Sequence, residues 1–205
     1  MILRPALLLP LLALACAPRP VAVAAAPAAP APEVVSREAW GAAAPVAPMR
    51  AHAVDRITVH HTGTPSQPGR TLEEKLRGLQ KYSQSESALA GGRTKPVWPD
   101  VPYHFYVGVD GRIAEARRAE YVGDTNTAYD PTGHLLVVVE GNFETERPTP
   151  AQLESLRALV GWAARRWSVP GERIGKHDDF ADTACPGDHL ATHLPALRAL
   201  AGGPR

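Results

Sequence analysis

The alternation of apolar and polar positions divides this chain of 205 residues into short strands and amphipathic helices. Ile57-Thr58-Val59-His60 repeats with a period of two, between charged Asp55-Arg56 and a Gly63-Thr64-Pro65 turn, and so reads as a strand. From Thr71 the period lengthens. Leu72, Leu76, Leu79 and Tyr82 recur at helical spacing with Glu73, Glu74, Lys75 and Lys81 between them, and Gly91-Gly92 is the expected end of that helix. Residues 103–109 and 112–116 form two further runs around Asp110-Gly111, a dipeptide that favours a hairpin turn. Residues 135–139 are apolar throughout, as in a strand buried on both faces. Thr149-Pro150-Ala151-Gln152 combines an N-cap threonine, a proline at the first helical position and a capping-box glutamine. Leu153, Leu156, Val160 and Ala163 then form its buried stripe as far as Val169-Pro170-Gly171, and a last helix from about Asp188 carries Leu190, Leu194, Leu197 and Leu200. Strands interleaved with helices, without repeats, predict an α/β fold with a mixed central β-sheet flanked by helices.

The N-terminal part follows a different pattern. Met1-Ile2-Leu3-Arg4 carries one positive charge, and the chain is then apolar to Ala15. That run is too short for a spanning helix and suits a secretory signal over residues 1–16. Ala13-Leu14-Ala15 offers a small-x-small cleavage site before Cys16. A cysteine there is also where a bacterial lipoprotein takes its lipid, although Ala13 stands where Leu, Val or Ile is usual. Residues 17–32 are almost wholly Ala, Val and Pro, an extended linker that packs no core. The folded domain is therefore 33–205, expected to be monomeric, exported to the periplasm or beyond, and tied to a membrane only through a lipid on Cys16. The formal net charge of +1 gives no electrostatic case for nucleic acid. No glycine-rich phosphate loop follows a strand.

With Cys16 in the leader, Cys185 has no cysteine partner in the domain, and an exported thiol is open to oxidation unless buried or metal-bound. His177 lies eight positions before it, in His177-Asp178-Asp179-Phe180-Ala181-Asp182-Thr183-Ala184-Cys185-Pro186-Gly187, and His60 closes the first strand. Two neutral imidazoles and a thiolate suit Zn2+, and three protein ligands leave a fourth tetrahedral position for water. His61 would point to the opposite face of a continuing strand, so one of the pair ligates, and periodicity does not choose which. His189 and His193 follow Cys185 at intervals of four and form a rival local set, opposed by the break that Pro186-Gly187 makes in the helical register. Copper would call for a weak axial ligand, and Met49 is remote in sequence. His52 and His134 read as structural, and His104 faces away from whatever Tyr103 faces.

Several stretches resemble one family in order. Ser36-Arg37-Glu38-Ala39-Trp40-Gly41-Ala42, Ile57-Thr58-Val59-His60-His61-Thr62, Trp98-Pro99-Asp100-Val101-Pro102-Tyr103-His104-Phe105, Val109-Asp110-Gly111-Arg112, Gly141-Asn142-Phe143 and the His177 to Gly187 segment look like peptidoglycan recognition proteins and phage endolysin amidases. That family contains zinc-dependent N-acetylmuramoyl-L-alanine amidases and non-catalytic sensors of peptidoglycan fragments. The resemblance implies zinc on His60, His177 and Cys185, with Tyr103 and Thr183 as catalytic companions and peptidoglycan or a muropeptide as partner. It also implies cleavage of the amide between N-acetylmuramic acid and L-alanine. The sensors commonly lack the cysteine that this chain keeps. Two departures stand out. Val138 occupies the position of a catalytic glutamate in some relatives, leaving Glu140, two residues on, as the candidate base. Gly123-Asp124-Thr125-Asn126-Thr127 lacks the histidine of the family's Gly-x-His-Thr stretch.

Overall fold

The computed structural model describes residues 30–202. The expected leader, Cys16 and all but the end of the linker lie outside the described residues. In chain order the elements are β1 (Val34–Val35), α1 (Arg37–Trp40), β2 (Arg56–His61), α2 (Leu72–Ser83), β3 (Ser87–Ala88), β4 (Thr94–Lys95), β5 (Phe105–Val107), β6 (Ile113–Glu115), β7 (His134–Val139), α3 (Pro150–Arg166), β8 (Ile174–Lys176), α4 (Asp188–Ala191) and α5 (Leu194–Ala199). Six strands form the central sheet in the order β1-β6-β5-β7-β2-β8, while β3 and β4 pair separately. Only the β5–β6 hairpin is antiparallel within the central sheet. The mixed sheet flanked by helices is the architecture expected from the pattern.

The apolar run of β7 is buried at every position, because it lies between β5 and β2 with a core on each face. On one face Ile57, Val59, Leu135, Val137 and Val139 pack against Leu156, Leu159, Val160 and Ala163 of α3 and Leu194 and Leu197 of α5. On the other, Tyr106, Ala114 and Val138 pack against Trp40 of α1 and Leu72 and Leu76 of α2. Both long helices start where their caps require. Thr71 with Glu74 and Thr149 with Gln152 form complete capping boxes. The hairpin turns at Gly111, whose φ of 85° is open to glycine and strained for other residues.

Two boundaries differ from the sequence pattern. α2 ends at Ser83 rather than at Gly91-Gly92, since the Ser83 carbonyl accepts from both Lys95 Nζ and the Trp98 amide and so leaves the helical ladder. The glycine pair instead turns the chain between β3 and β4. The last helix is broken into α4 and α5 because Pro195 has no amide hydrogen and its ring would collide with the Ala191 carbonyl.

Buried histidines crosslink this scaffold in the neutral form. His104 Nδ1 accepts from the Leu136 amide at 2.8 Å and its Nε2 donates to the Tyr121 carbonyl at 2.8 Å. Burial pulls its pKa down to about 3. Burial likewise takes His134, bonded to Thr58 Oγ1 at 2.9 Å, to about 4. Both native values lie below the unfolded value of about 6.5, so the unfolded chain takes up protons first as pH falls. Their stabilising contribution is therefore complete above about pH 6.5 and is lost as pH drops through 4 towards 3. The urea midpoint is expected to fall between pH 6.5 and pH 4.5, and a midpoint that stays constant over that interval would refute this account.

Candidate metal centre

Pairing on both sides of β2 fixes the first two side chains of the site. β2 and β7 are in register from Arg56↔His134 to His61↔Val139, and β8 joins the other edge with Val59 opposite Lys176. One step along each strand therefore sets His60 beside His177 on the same face, and their ring centroids are 4.5 Å apart. His61 takes the other face, where its Nδ1 accepts from the Phe143 amide at 3.3 Å. The Cys185 loop closes over this edge. The His61 amide donates to Cys185 Sγ at 3.3 Å, and the Asp178 amide donates to the Cys185 carbonyl at 3.0 Å. Gly187 is what allows the loop in so close: its φ is 83°, and a Cβ there would lie 2.4 Å from the Phe143 carbonyl carbon.

His60, His177 and Cys185 form the group among the described residues able to hold a metal, with one ligand atom from each within 4.8 Å of the others. All three are buried. His60 Nδ1 lies 3.7 Å from Cys185 Sγ, close to the separation of about 3.6 Å that Zn–N and Zn–S bonds impose at a tetrahedral angle. His60 Nε2 is buried without a hydrogen-bond partner. Burial drives the imidazoles away from protonation: the pKa of His60 falls well below the ordinary value, and that of His177 falls as well. Burial also pushes the Cys185 thiol up to about 12. Two neutral imidazoles and a thiol that a cation would ionise are a donor set suited to zinc.

A cavity of about 200 Å³ opens on this cluster, lined also by Trp98, Tyr103, Asp124, Thr127 and Thr183. The Tyr103 ring is 5.3 Å from that of His60, and burial raises its pKa far above the ordinary range, so the phenol keeps its proton. Thr183 Oγ1 accepts from the Cys185 amide at 3.3 Å. A larger hollow of about 470 Å³ around Arg37, Met49 and Tyr121 contains none of these groups. Chemistry rather than size locates the site.

Other expected participants fall elsewhere. Glu140 does not reach the cavity. Its carboxylate is buried against Lys75 Nζ at 2.9 Å and accepts from the Gln67 and Val109 amides, which ties α2 and two loops to the end of β7. Asp178 and Asp179, adjacent to His177 in the chain and so candidates to orient an imidazole, pair with Lys176 instead. His189 Nδ1 bonds to the Glu146 carbonyl at 2.6 Å, and neither it nor His193 belongs to the ligand cluster. The loop after β6 supplies Asp124, Thr125, Asn126 and Thr127 to the cavity, residues to which the sequence assigned no role. Asp124 is held by Arg117, and Thr127 Oγ1 lies 2.7 Å from His177 Nε2. The signal for both was the altered Gly123 to Thr127 stretch.

Two imidazoles and a thiol gathered at the edge of a helix-flanked mixed sheet define the class as an α/β protein with a cleft whose side chains could hold a metal. The chain belongs to the N-acetylmuramoyl-L-alanine amidase family, Amidase_2, whose model matches residues 50–188 and so includes all three candidate ligands. It is 30% identical over 139 residues to an N-acetylmuramoyl-L-alanine amidase of Homo sapiens, which covers 65% of this chain and 22% of that protein. The chain spans about a fifth to a third of the length of such curated relatives. Among solved structures, peptidoglycan recognition protein-LE in complex with tracheal cytotoxin superposes with a TM-score of 0.66 at 25% identity, over 80% of this chain and 92% of that one. The amidase LysC from Clostridium intestinale URNW shares the fold, with a TM-score of 0.60 at 24% identity over 82% and 96% of the two chains.

Gly187→Ala is expected to cost about 1–3 kcal/mol from backbone strain alone, with more from the clash with Phe143. Urea unfolding measures the loss, and metal titration should show weaker binding, since Cys185 moves with the loop. Glu140→Ala strands Lys75 as an unpaired buried cation and should cost about 3–5 kcal/mol of stability. Wild-type stability in either variant would overturn the corresponding assignment.

Proposed function

We propose that this domain is a zinc-dependent hydrolase that cuts the amide between N-acetylmuramic acid and L-alanine in peptidoglycan or muropeptides. The observation that carries the reading is the convergence of His60, His177 and Cys185 in one cavity beside Tyr103. Zinc bound there supplies a Lewis acid that acidifies water and polarises a carbonyl. His60 and His177 stay neutral and ready to ligate because burial opposes their protonation. Tyr103 keeps its phenolic proton and donates it in a hydrogen bond to the oxygen on which negative charge develops. Thr183 holds the Cys185 amide and offers a further hydroxyl to the cavity. Glu140, spent on Lys75 and two amides, has no part in this scheme. Export under a leader at 1–16 agrees with a substrate outside the cytoplasmic membrane.

A second reading, a binding module that holds muropeptides without cutting them, is favoured by the likeness to peptidoglycan recognition protein-LE, which was solved with tracheal cytotoxin. Incubation with purified peptidoglycan separates the two. Hydrolysis releases stem peptides with new L-alanine amino termini, and a chelator should abolish their appearance. Cys185→Ser should lose zinc and hydrolysis together, whereas Tyr103→Phe should keep zinc and lose about 100-fold or more in kcat. Full activity in zinc-free Cys185→Ser would refute the catalytic assignment, and binding without release would establish the second reading.

A further inference from the structure

The His177 ring is also held by a stretch remote in sequence. His177 Nε2 lies 2.7 Å from Thr127 Oγ1, fifty positions earlier in the chain. Thr127 Oγ1 in turn lies 2.7 Å from Thr125 Oγ1, and Thr125 Oγ1 also accepts from the Thr127 amide at 3.1 Å. Tyr129, from the same loop between β6 and β7, packs its ring 5.3 Å from that of His177. The neighbouring acid that sequence offers for orienting this imidazole, Asp178, is occupied by Lys176. A pair of hydroxyls fills that place.

Proton accounting gives the arrangement a direction. With Nε2 committed to Thr127, Nδ1 is the nitrogen left for a metal, and it must present a lone pair. A neutral imidazole carries one N–H, so the proton sits on Nε2 and Thr127 Oγ1 accepts it. The Thr127 hydroxyl then has its own proton to give, and Thr125 Oγ1 is within reach to take it. We propose that Thr127 is the positioning residue of the metal centre: it fixes the tautomer and ring plane of His177, while Thr125 fixes the Thr127 hydroxyl. This rests on the reading of His60, His177 and Cys185 as a metal site and deepens it. A hydroxyl acceptor does this without adding a negative charge beside the metal, unlike the carboxylate partners common at zinc histidines.

The test measures zinc affinity by competition with a chromogenic chelator, with the urea midpoint of the metal-free protein alongside. Thr127→Val keeps the shape and removes the oxygen, and should weaken zinc binding about 10–100-fold. Thr127→Ser restores the oxygen and should bind within about threefold of wild type, a rescue that a packing role would not give. Should Thr127→Val fold poorly, Thr125→Val carries the same test with a smaller loss expected. Unchanged zinc affinity in the valine variant overturns the proposal, as does a serine variant as weak as valine. Cys185→Ser is the control for the underlying reading. If it retains zinc, the metal site itself is wrong; if it loses zinc while Thr127→Val does not, only the role of Thr127 falls.

Discussion

The parallel pairing of β2 with β7 on one side and β8 on the other is the constraint from which the rest of the site follows. A strand has one side chain per face every two residues, so a slip of one position would turn His60 into the α3 core and bring His61 towards Cys185. The register is held by apolar burial: Ile57, Val59, Leu135, Val137 and Val139 share one core, and each would have to leave it for the strand to slide. The imidazole beside His177 is thus chosen by packing that has no chemistry of its own. β8 contributes only three residues, yet its place at the edge sets where the chain leaves the sheet, and the ligand follows at once.

Burying three potential ligands has a cost, and two well-paired buried cations brace the scaffold around them. Arg117 is almost wholly enclosed and donates to the Val101, Val122 and Asp100 carbonyls as well as to Asp124, which anchors the start of the loop leading to Thr127. Lys75 and Glu140 do the same for α2 and the end of β7. Such groups stabilise only when every partner is in place, and that makes the arrangement around the cavity specific rather than adaptable. Desolvation then sets the chemistry. Without a cation the thiol is held neutral, while a divalent ion among the same atoms reverses the preference and favours the thiolate.

Much of the fold was legible in the sequence because it is written in local signals. Capping boxes at Thr71 and Thr149, the apolar run of β7 and the Asp110-Gly111 turn each need only a few adjacent residues. Cys185 stood out by lacking a partner and strand alternation reduced His60-His61 to one without saying which, so that His60 and His177 came from the family resemblance; the fold brings the three together. The failures are long-range. Glu140 was read from its strand position, but Lys75 on another element decides where a strand-end carboxylate points. The end of α2 depended on Lys95 and Trp98 claiming the Ser83 carbonyl. β8 is too short to show a period, and the meeting of Thr127 with His177 across fifty positions leaves no periodic trace.

The groups at the cavity also bear on what kind of chemistry the chain itself supplies. Tyr103, Thr183 and Thr127 are neutral donors or acceptors at ordinary pH, and Asp124, the carboxylate among the lining residues, is committed to Arg117. With Glu140 withdrawn, the cavity offers no free carboxylate to act as a strong base. An amide hydrolase built this way must draw its nucleophile from a Lewis acid and use its own side chains to hold the carbonyl oxygen, the ligands and the substrate in place. A pure binding site has no such need of a buried thiol with two imidazoles, since burying them unligated costs stability and adds nothing to the grip on a sugar or a peptide. The meeting of all three in one desolvated cavity is the observation on which the proposal of hydrolysis rests.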